Sequence, residues 1–150
     1  MRGAAGLATS LCLAVWLIGA AGCAADQEVV TCTRSETRLE SGVRVLDLEC
    51  GSGKEAMRGH SLTVEYVARA DGRTFDSTRE RGEPLTFRLG VGQVLQGLDE
   101  GLLGMQQGGV RRVTIPPEFA YGEAGFPPQV PPDTTVVFEV ELLSMREPPE

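Results

Sequence analysis

The sequence predicts an α+β domain in which an antiparallel sheet wraps over one short helix. Three observations carry this expectation. Apolar and polar residues alternate in short runs, as in Leu62, Val64, Tyr66 and Ala68 against Thr63, Glu65, Val67 and Arg69, the period of half-buried strands. The period turns helical only once, over residues 94–103. Glycine and proline are frequent, at 19 and 9 of 150 residues, which favours turns over helix interiors.

Each element follows from the local pattern. Residues 43–49 alternate partially and form a first strand. Gly51-Ser52-Gly53-Lys54 is a loop. It lacks the phosphate-binding signature, because Leu48 stands where a glycine is needed and Glu55 where Ser or Thr is needed. The strand over 61–70 ends at Asp71-Gly72, a hairpin turn in which glycine accepts positive φ. A short strand follows through Thr74-Phe75-Asp76, and Leu85-Thr86-Phe87-Arg88-Leu89 alternates again. Over 94–103, Val94, Leu95, Leu98 and Leu102 share one helical face, while Gln96, Asp99 and Glu100 share the other. Gly97 and Gly101 lower the intrinsic propensity of this helix. Residues 110–115 form a strand stopped by Pro116-Pro117. A Gly/Pro loop spans 122–132, residues 136–142 form the last strand, and a short tail ends the chain. No internal repeat is present.

Composition narrows the function. A chain of 150 residues buries one modest core and is too short for a two-domain enzyme. Its net charge of −7 excludes nucleic acid as a partner, since phosphates demand a basic surface. The single histidine, His60, argues against a His-rich metal site and against a Ser-His-Asp triad. No metal and no cofactor are expected.

The N-terminus is a separate object. After Arg2 no charge occurs until Asp26, and an apolar run from Leu7 to Ile18 leads to Gly19-Ala20-Ala21-Gly22-Cys23. This is the layout of a secretory signal, and the run is shorter than the ~20 residues that span a bilayer. Ala20-Ala21-Gly22-Cys23 also resembles a bacterial lipobox, with Ala20 where Leu, Val or Ile is usual. That resemblance implies a signal over 1–22 and lipidation of Cys23. Ala24 after the cysteine implies an outer-membrane lipoprotein facing the periplasm; cleavage at a nearby small residue, giving a soluble periplasmic protein, is the alternative. Residues 23–36 read as a tether, 37–146 as the domain and 147–150 as a tail. Cys12 and the only tryptophan, Trp16, leave with the signal. Cys32 and Cys50 then remain, too far apart for a redox C-x-x-C, and in an oxidising compartment they most simply pair. Two buried thiols are the alternative.

From about Gly42 to Met145 the chain resembles the FKBP-type peptidyl-prolyl cis-trans isomerases. The resemblance rests on Val64-Glu65-Tyr66 with residues 71–78, on Val94-Leu95-Gln96-Gly97-Leu98-Asp99-Glu100-Gly101-Leu102, and on residues 115–122 running through Val130-Pro131-Pro132 to residues 138–143. It implies a bent antiparallel sheet around one short helix. It also implies a pocket in which Tyr66, Phe75, Phe87 and Phe138 are aromatic walls and Val94 and Leu95 form an edge. Tyr121 would offer its hydroxyl to the peptide carbonyl, and Asp76 would be held by Tyr66 and Arg81. The chain departs from the common pattern at Leu98, which replaces a tryptophan floor, at Leu85, where phenylalanine is common, and at Phe126 and Gln129 in the lip loop. The implied activity is rotation of X-Pro bonds in unfolded or folding exported proteins, with weak macrolide binding and attachment to the membrane through the lipid. A non-catalytic peptide-binding holdase using the same pocket is the rival reading.

Overall fold

The computed structural model describes residues 35–149. The expected signal, Cys23 and Cys32 lie outside the described residues. Seven strands form one antiparallel sheet: β1 (Thr37–Arg38), β2 (Arg44–Glu49), β3 (Ser61–Ala70), β4 (Arg73–Ser77), β5 (Leu85–Arg88), β6 (Val110–Ile115) and β7 (Val136–Arg146). Their spatial order is β1-β2-β6-β7-β3-β4, with β5 also paired to β3. Two short helices accompany them, α1 (Thr78–Arg81) and α2 (Gln96–Gly101). Single 3-10 turns occupy Pro117–Phe119 and Gly122–Ala124.

Strand β3 is the axis of the sheet. It pairs with β7 along its whole length, from Ser61 opposite Arg146 to Ala70 opposite Val136. Every second residue of β3 from Leu62 to Ala70 is buried, as the alternation predicts. On β7 the buried residues are Val136, Phe138, Val140 and Leu142. The hairpin turn forms where expected, with Asp71 and Gly72 both at positive φ, the geometry that matches strand twist. Register shifts at Asp47/Glu49, Thr63/Val64 and Ala68/Arg69 bend the sheet.

Helix α2 lies on the concave face against β6, closer than any side chain there allows. A Cβ on Gly97 would sit 2.2 Å from Ile115 Cγ2, and one on Gly101 would sit 2.5 Å from Val113 Cγ1. The glycines that weaken the helix as a helix are the ones that let it dock. Beneath α2, Arg111 on β6 is buried and fully engaged. It donates to both oxygens of Asp47 at 2.6 and 3.1 Å and to the carbonyls of Gly101 and Leu103 at 3.0 and 2.9 Å. A buried charge is tolerated only when paired and hydrogen-bonded in this way. The same contacts satisfy carbonyls at the end of α2 that have no helical partner.

The structure revises several details. The helix expected over 94–103 is confined to Gln96–Gly101, with Leu95 as its N-cap residue. Asp99, placed by its spacing on the solvent face, is 8% exposed. Its carboxylate accepts the N–H groups of Gly90 and Gly92 at 2.8 and 2.9 Å, so the loop before α2 folds over that face. Helix α1 is an addition to the expected single helix. Ser77 caps its start by accepting from Glu80 N, and Gly82 ends it at φ 74. The last strand runs to Arg146 instead of stopping at Leu142, because Ser61–Thr63 supply partners for the extra residues.

On the outer face, Glu139 accepts from Arg112 at 2.8 Å and pairs with Arg69 at 3.2 Å. The hydrogen bond from Arg112 holds its carboxyl below the usual glutamate range, with Arg69 adding to the effect. The stabilisation it gives is present at neutral pH and is lost as pH falls through the lowered value.

The close approach of α2 yields a prediction. Gly97→Ala raises helix propensity by about 1 kcal/mol yet destabilises the domain overall, by roughly 1–3 kcal/mol, because Ile115 must move. Urea unfolding measures it. Ile115→Ala in the same chain relieves part of the cost, so the two substitutions are non-additive.

Candidate active site

The site begins at a gap in strand pairing. Along β3, β5 pairs only with Ser61–Val64 and β4 only with Val67–Ala70. Glu65 and Tyr66 fall between them. Thr78, buried at the start of α1, fills the gap: its hydroxyl accepts from Tyr66 N at 2.9 Å and lies 3.3 Å from Tyr66 O as donor. A buried backbone unit needs such partners. Thr78 therefore fixes α1 against β3 and carries Arg81 toward the concave face. Sequence reasoning assigned Thr78 no role, although it directly follows Asp76-Ser77 and could have been read as part of a helix start.

Three side chains converge there. The Tyr66 hydroxyl donates to Asp76 Oδ2 at 2.5 Å. Arg81 Nη1 donates to Asp76 Oδ1, and Arg81 Nη2 donates to the Tyr66 hydroxyl at 3.1 Å. The guanidinium also lies 5.7 Å from the Tyr66 ring centroid, within cation–π range. Both oxygens of Asp76 are thus occupied. Burial, reinforced by the hydrogen bond to Asp76, pushes the Tyr66 hydroxyl above the usual tyrosine range. Its neutral form is the favoured one in the folded chain, and the stabilisation is lost as pH rises through that raised value.

Aromatic rings surround this cluster in a continuous chain. Tyr66 meets Phe138 at 5.5 Å between centroids. Phe138 meets Phe75 edge-on at 6.2 Å, and Phe75 meets Tyr121 edge-on at 6.0 Å. Tyr121 stacks on Phe126 at 5.6 Å with 24° between planes. These are favourable aromatic geometries. They hold Phe75 and Tyr121 half-exposed while Phe138 is buried. Burial raises the Tyr121 hydroxyl, and the charge of Asp76 raises it further.

The structure therefore brings together Tyr66, Asp76, Arg81, Phe75, Phe138, Tyr121 and Phe126. Leu85, Val94 and Leu95 are half-buried and pack on the core. Phe87 and Leu98 are buried members of that core, 5% and 3% exposed. Phe126 is the outermost, at 52% exposed. Among the described residues no group of His, Cys, Asp or Glu could hold a metal ion, and no helix is long and apolar enough to cross a membrane.

Comparison with known proteins converges on one family. Residues 52–143 match the FKBP-type peptidyl-prolyl cis-trans isomerase family. An FK506-binding protein of Neisseria meningitidis serogroup B is 49% identical over 107 residues, covering 71% of this chain and 98% of that protein. The solved structure of AtFKBP13 superimposes with a TM-score of 0.70 at 35% identity, over 75% of this chain and 99% of that one. FkpA from Escherichia coli superimposes with a TM-score of 0.69 at 39% identity, over 76% of this chain and 53% of that one. With a fold, a site and relatives of this kind, the chain belongs to the FKBP-type peptidyl-prolyl cis-trans isomerases.

Proposed function

We propose that this domain accelerates X-Pro rotation in exported proteins through the aromatic pocket, and so assists their folding. The observation that carries the reading is the Tyr66–Asp76–Arg81 cluster set inside linked aromatic rings. An X-Pro bond rotates slowly because the amide has double-bond character, with a barrier of roughly 18–20 kcal/mol. The planar amide is more dipolar than the twisted one, so water stabilises the ground state more. An apolar site removes that preference, and contacts that grow as the amide twists lower the barrier. About 6 kcal/mol would correspond to roughly 10^4-fold. No nucleophile is required. The Tyr121 hydroxyl has no hydrogen-bond partner among the described residues and can donate to the substrate carbonyl. Asp76, with both oxygens occupied, would fix the Tyr66 and Arg81 side chains at the pocket wall. Phe75, Phe87, Phe138, Leu85, Val94, Leu95, Leu98 and Phe126 would shape the apolar surface for proline and an apolar residue before it.

Attachment and export belong to the same proposal. Cys23 would carry lipid and hold the domain at the outer membrane, in the periplasm; doubly acylated anchors are stable. Cys50, which is not a free thiol, would pair with Cys32. The antiparallel pairing of β1 on β2, with Thr37 opposite Val45 and Arg38 opposite Arg44, supports this, because in that register lower residue numbers on β1 meet higher ones on β2.

A protease-coupled assay on an X-Pro peptide tests the catalytic reading. The Asp76→Ala, Tyr121→Phe double variant should lose activity by about tenfold or more without losing all of it, since no covalent step is removed. Unchanged activity would place the reaction elsewhere.

Leu98 gives a second test. A leucine cannot present the flat face that an indole offers a pipecolyl ring, so macrolide inhibitors of this family should bind weakly. Leu98→Trp should tighten that binding by about 1 kcal/mol or more if neighbours accept the ring. Calorimetric titration decides it, and equal or weaker binding by the folded variant would remove Leu98 from the pocket floor.

Intact-mass measurement checks the anchor and the crosslink together. The processed chain should begin at Cys23 with acyl mass attached and should gain about two hydrogens on reduction. Cys23→Ser should leave the membrane fraction. A processed chain without acyl mass overturns the anchor, and two alkylatable thiols before reduction overturn the crosslink.

A further inference from the structure

The single histidine of the chain takes no part in the aromatic site. His60 stands just before β3 and is 4% exposed. Its Nδ1 lies 3.1 Å from the Sδ of Met145. The backbone N–H of Met57 donates to the same nitrogen at 3.4 Å. With Nδ1 accepting that bond, the ring proton is on Nε2, and Nδ1 and Sδ both present lone pairs. We propose that His60 and Met145 form the base of a binding site for a soft monovalent metal ion with the chemistry of copper(I), completed by the thioether of Met57. The composition excludes a His-rich site, and this one needs only one imidazole.

A break in the alternation of β7 creates the pair. From Val136 to Leu142 every second residue of β7 is buried, and all of these have even numbers. At the Thr63/Val64 register shift, Thr63 faces Ser144 and Val64 faces Leu142, so Leu143 has no partner on β3. The parity inverts beyond that extra residue. Met145 turns inward opposite Leu62, while Ser144 is exposed. Metal bonds to nitrogen and sulfur run about 2.0–2.3 Å, so one ion reaches both donor atoms at their 3.1 Å separation. Thioether and imidazole together suit copper(I). Hard ions are poorly served, because Glu147, the one carboxylate lining the adjoining hollow, is paired with Lys54. That hollow, about 470 Å³ and open to solvent, is lined by Met145 itself, with Ser52 and Gln107 among its other walls. An ion therefore reaches the sulfur from the surface although His60 is buried. Met57 lies three residues before His60 and is 59% exposed, and its unbranched side chain has the freedom to close on a bound ion. The net charge of −7 favours the approach of a cation. Met145 lies seven residues beyond Phe138 on β7, about 23 Å along an extended strand. The site is thus separate from the aromatic cluster.

The test uses the purified chain carrying Cys23→Ser, with any free thiols alkylated so that cysteine sulfur cannot bind. The probe is silver(I) nitrate in chloride-free buffer, a soft monovalent ion that needs no reductant. NMR of isotope-labelled methionine methyl groups and of the imidazole reads the ligands directly. The lone histidine gives a single ring signal, and Met105, 2% exposed, is the internal reference. The His60 and Met145 signals should move together and saturate at one ion per chain. Met57 should move with them, and Met105 should not. Met145→Leu, a change of similar volume, should weaken silver binding at least about tenfold and leave X-Pro isomerisation unchanged. Copper(I), kept reduced by ascorbate without oxygen, should displace silver from the same signals. A His60 ring that does not respond, a shift confined to Met57, or affinity unchanged by Met145→Leu overturns the site. The same shifts with zinc(II), or silver that copper(I) fails to displace, overturns the choice of ion. The wild-type spectra decide the matter even if the variant is poorly folded.

Discussion

The contact between α2 and β6 sets the depth of everything above it. Gly97 and Gly101 let the helix backbone rest directly on Ile115 and Val113. The helix has only six residues, Gln96–Gly101, which is too few for stability by propensity alone. It exists because the sheet, Arg111 and the loop before it supply its partners. Arg111 closes its C-terminal end from below and ties it to Asp47 on β2. Asp99 reaches the other way and ties the helix to Gly90 and Gly92. One short helix is thus bonded to β6 and to the loop that leads from β5, and through Arg111 it is linked to β2.

Polar groups inside the fold follow a consistent rule. Arg111 is paired on every donor the geometry reaches, and Asp99 accepts two backbone N–H groups instead of facing water. Asp76 is tied by Tyr66 and Arg81. The first two are structural and sit away from the aromatic rings. The third sits beside them, paired with Arg81 and hydrogen-bonded by Tyr66. Position relative to the aromatic chain, and not the extent of pairing, separates the charge proposed to face a substrate from the structural ones.

The Tyr66–Asp76–Arg81 cluster in turn depends on the break in pairing along β3. A continuous edge there would have covered Tyr66 with another strand. Because β5 and β4 each cover only part of β3, Thr78 takes over the Tyr66 backbone, α1 forms, and Arg81 arrives beside Asp76. The cluster is held by this arrangement of hydrogen bonds and by the edge-on packing of Phe75 against Phe138 and Tyr121.

The sequence by itself determined every strand except the two-residue β1, the hairpin at Asp71-Gly72, the helix near residue 98 and the family to which the domain belongs. These are local or pattern-level signals: a period of two, a turn dipeptide that accepts positive φ, a single change of period, and motifs in a fixed order. It also named Tyr66, Asp76, Arg81, Phe75, Phe138, Tyr121 and Phe126, which the fold gathers into one cluster. Only the tertiary structure decided the rest. Asp99 has the spacing of a solvent-facing residue, and nothing local reveals that a loop will fold over it. Gly97 and Gly101 look like weaknesses in a helix until the sheet beneath them is in view. Thr78 looks like an ordinary helix-start residue until the gap in β3 shows which backbone it must satisfy. In each case the deciding partner is distant in sequence or bound through the backbone, and side-chain periodicity carries no record of it.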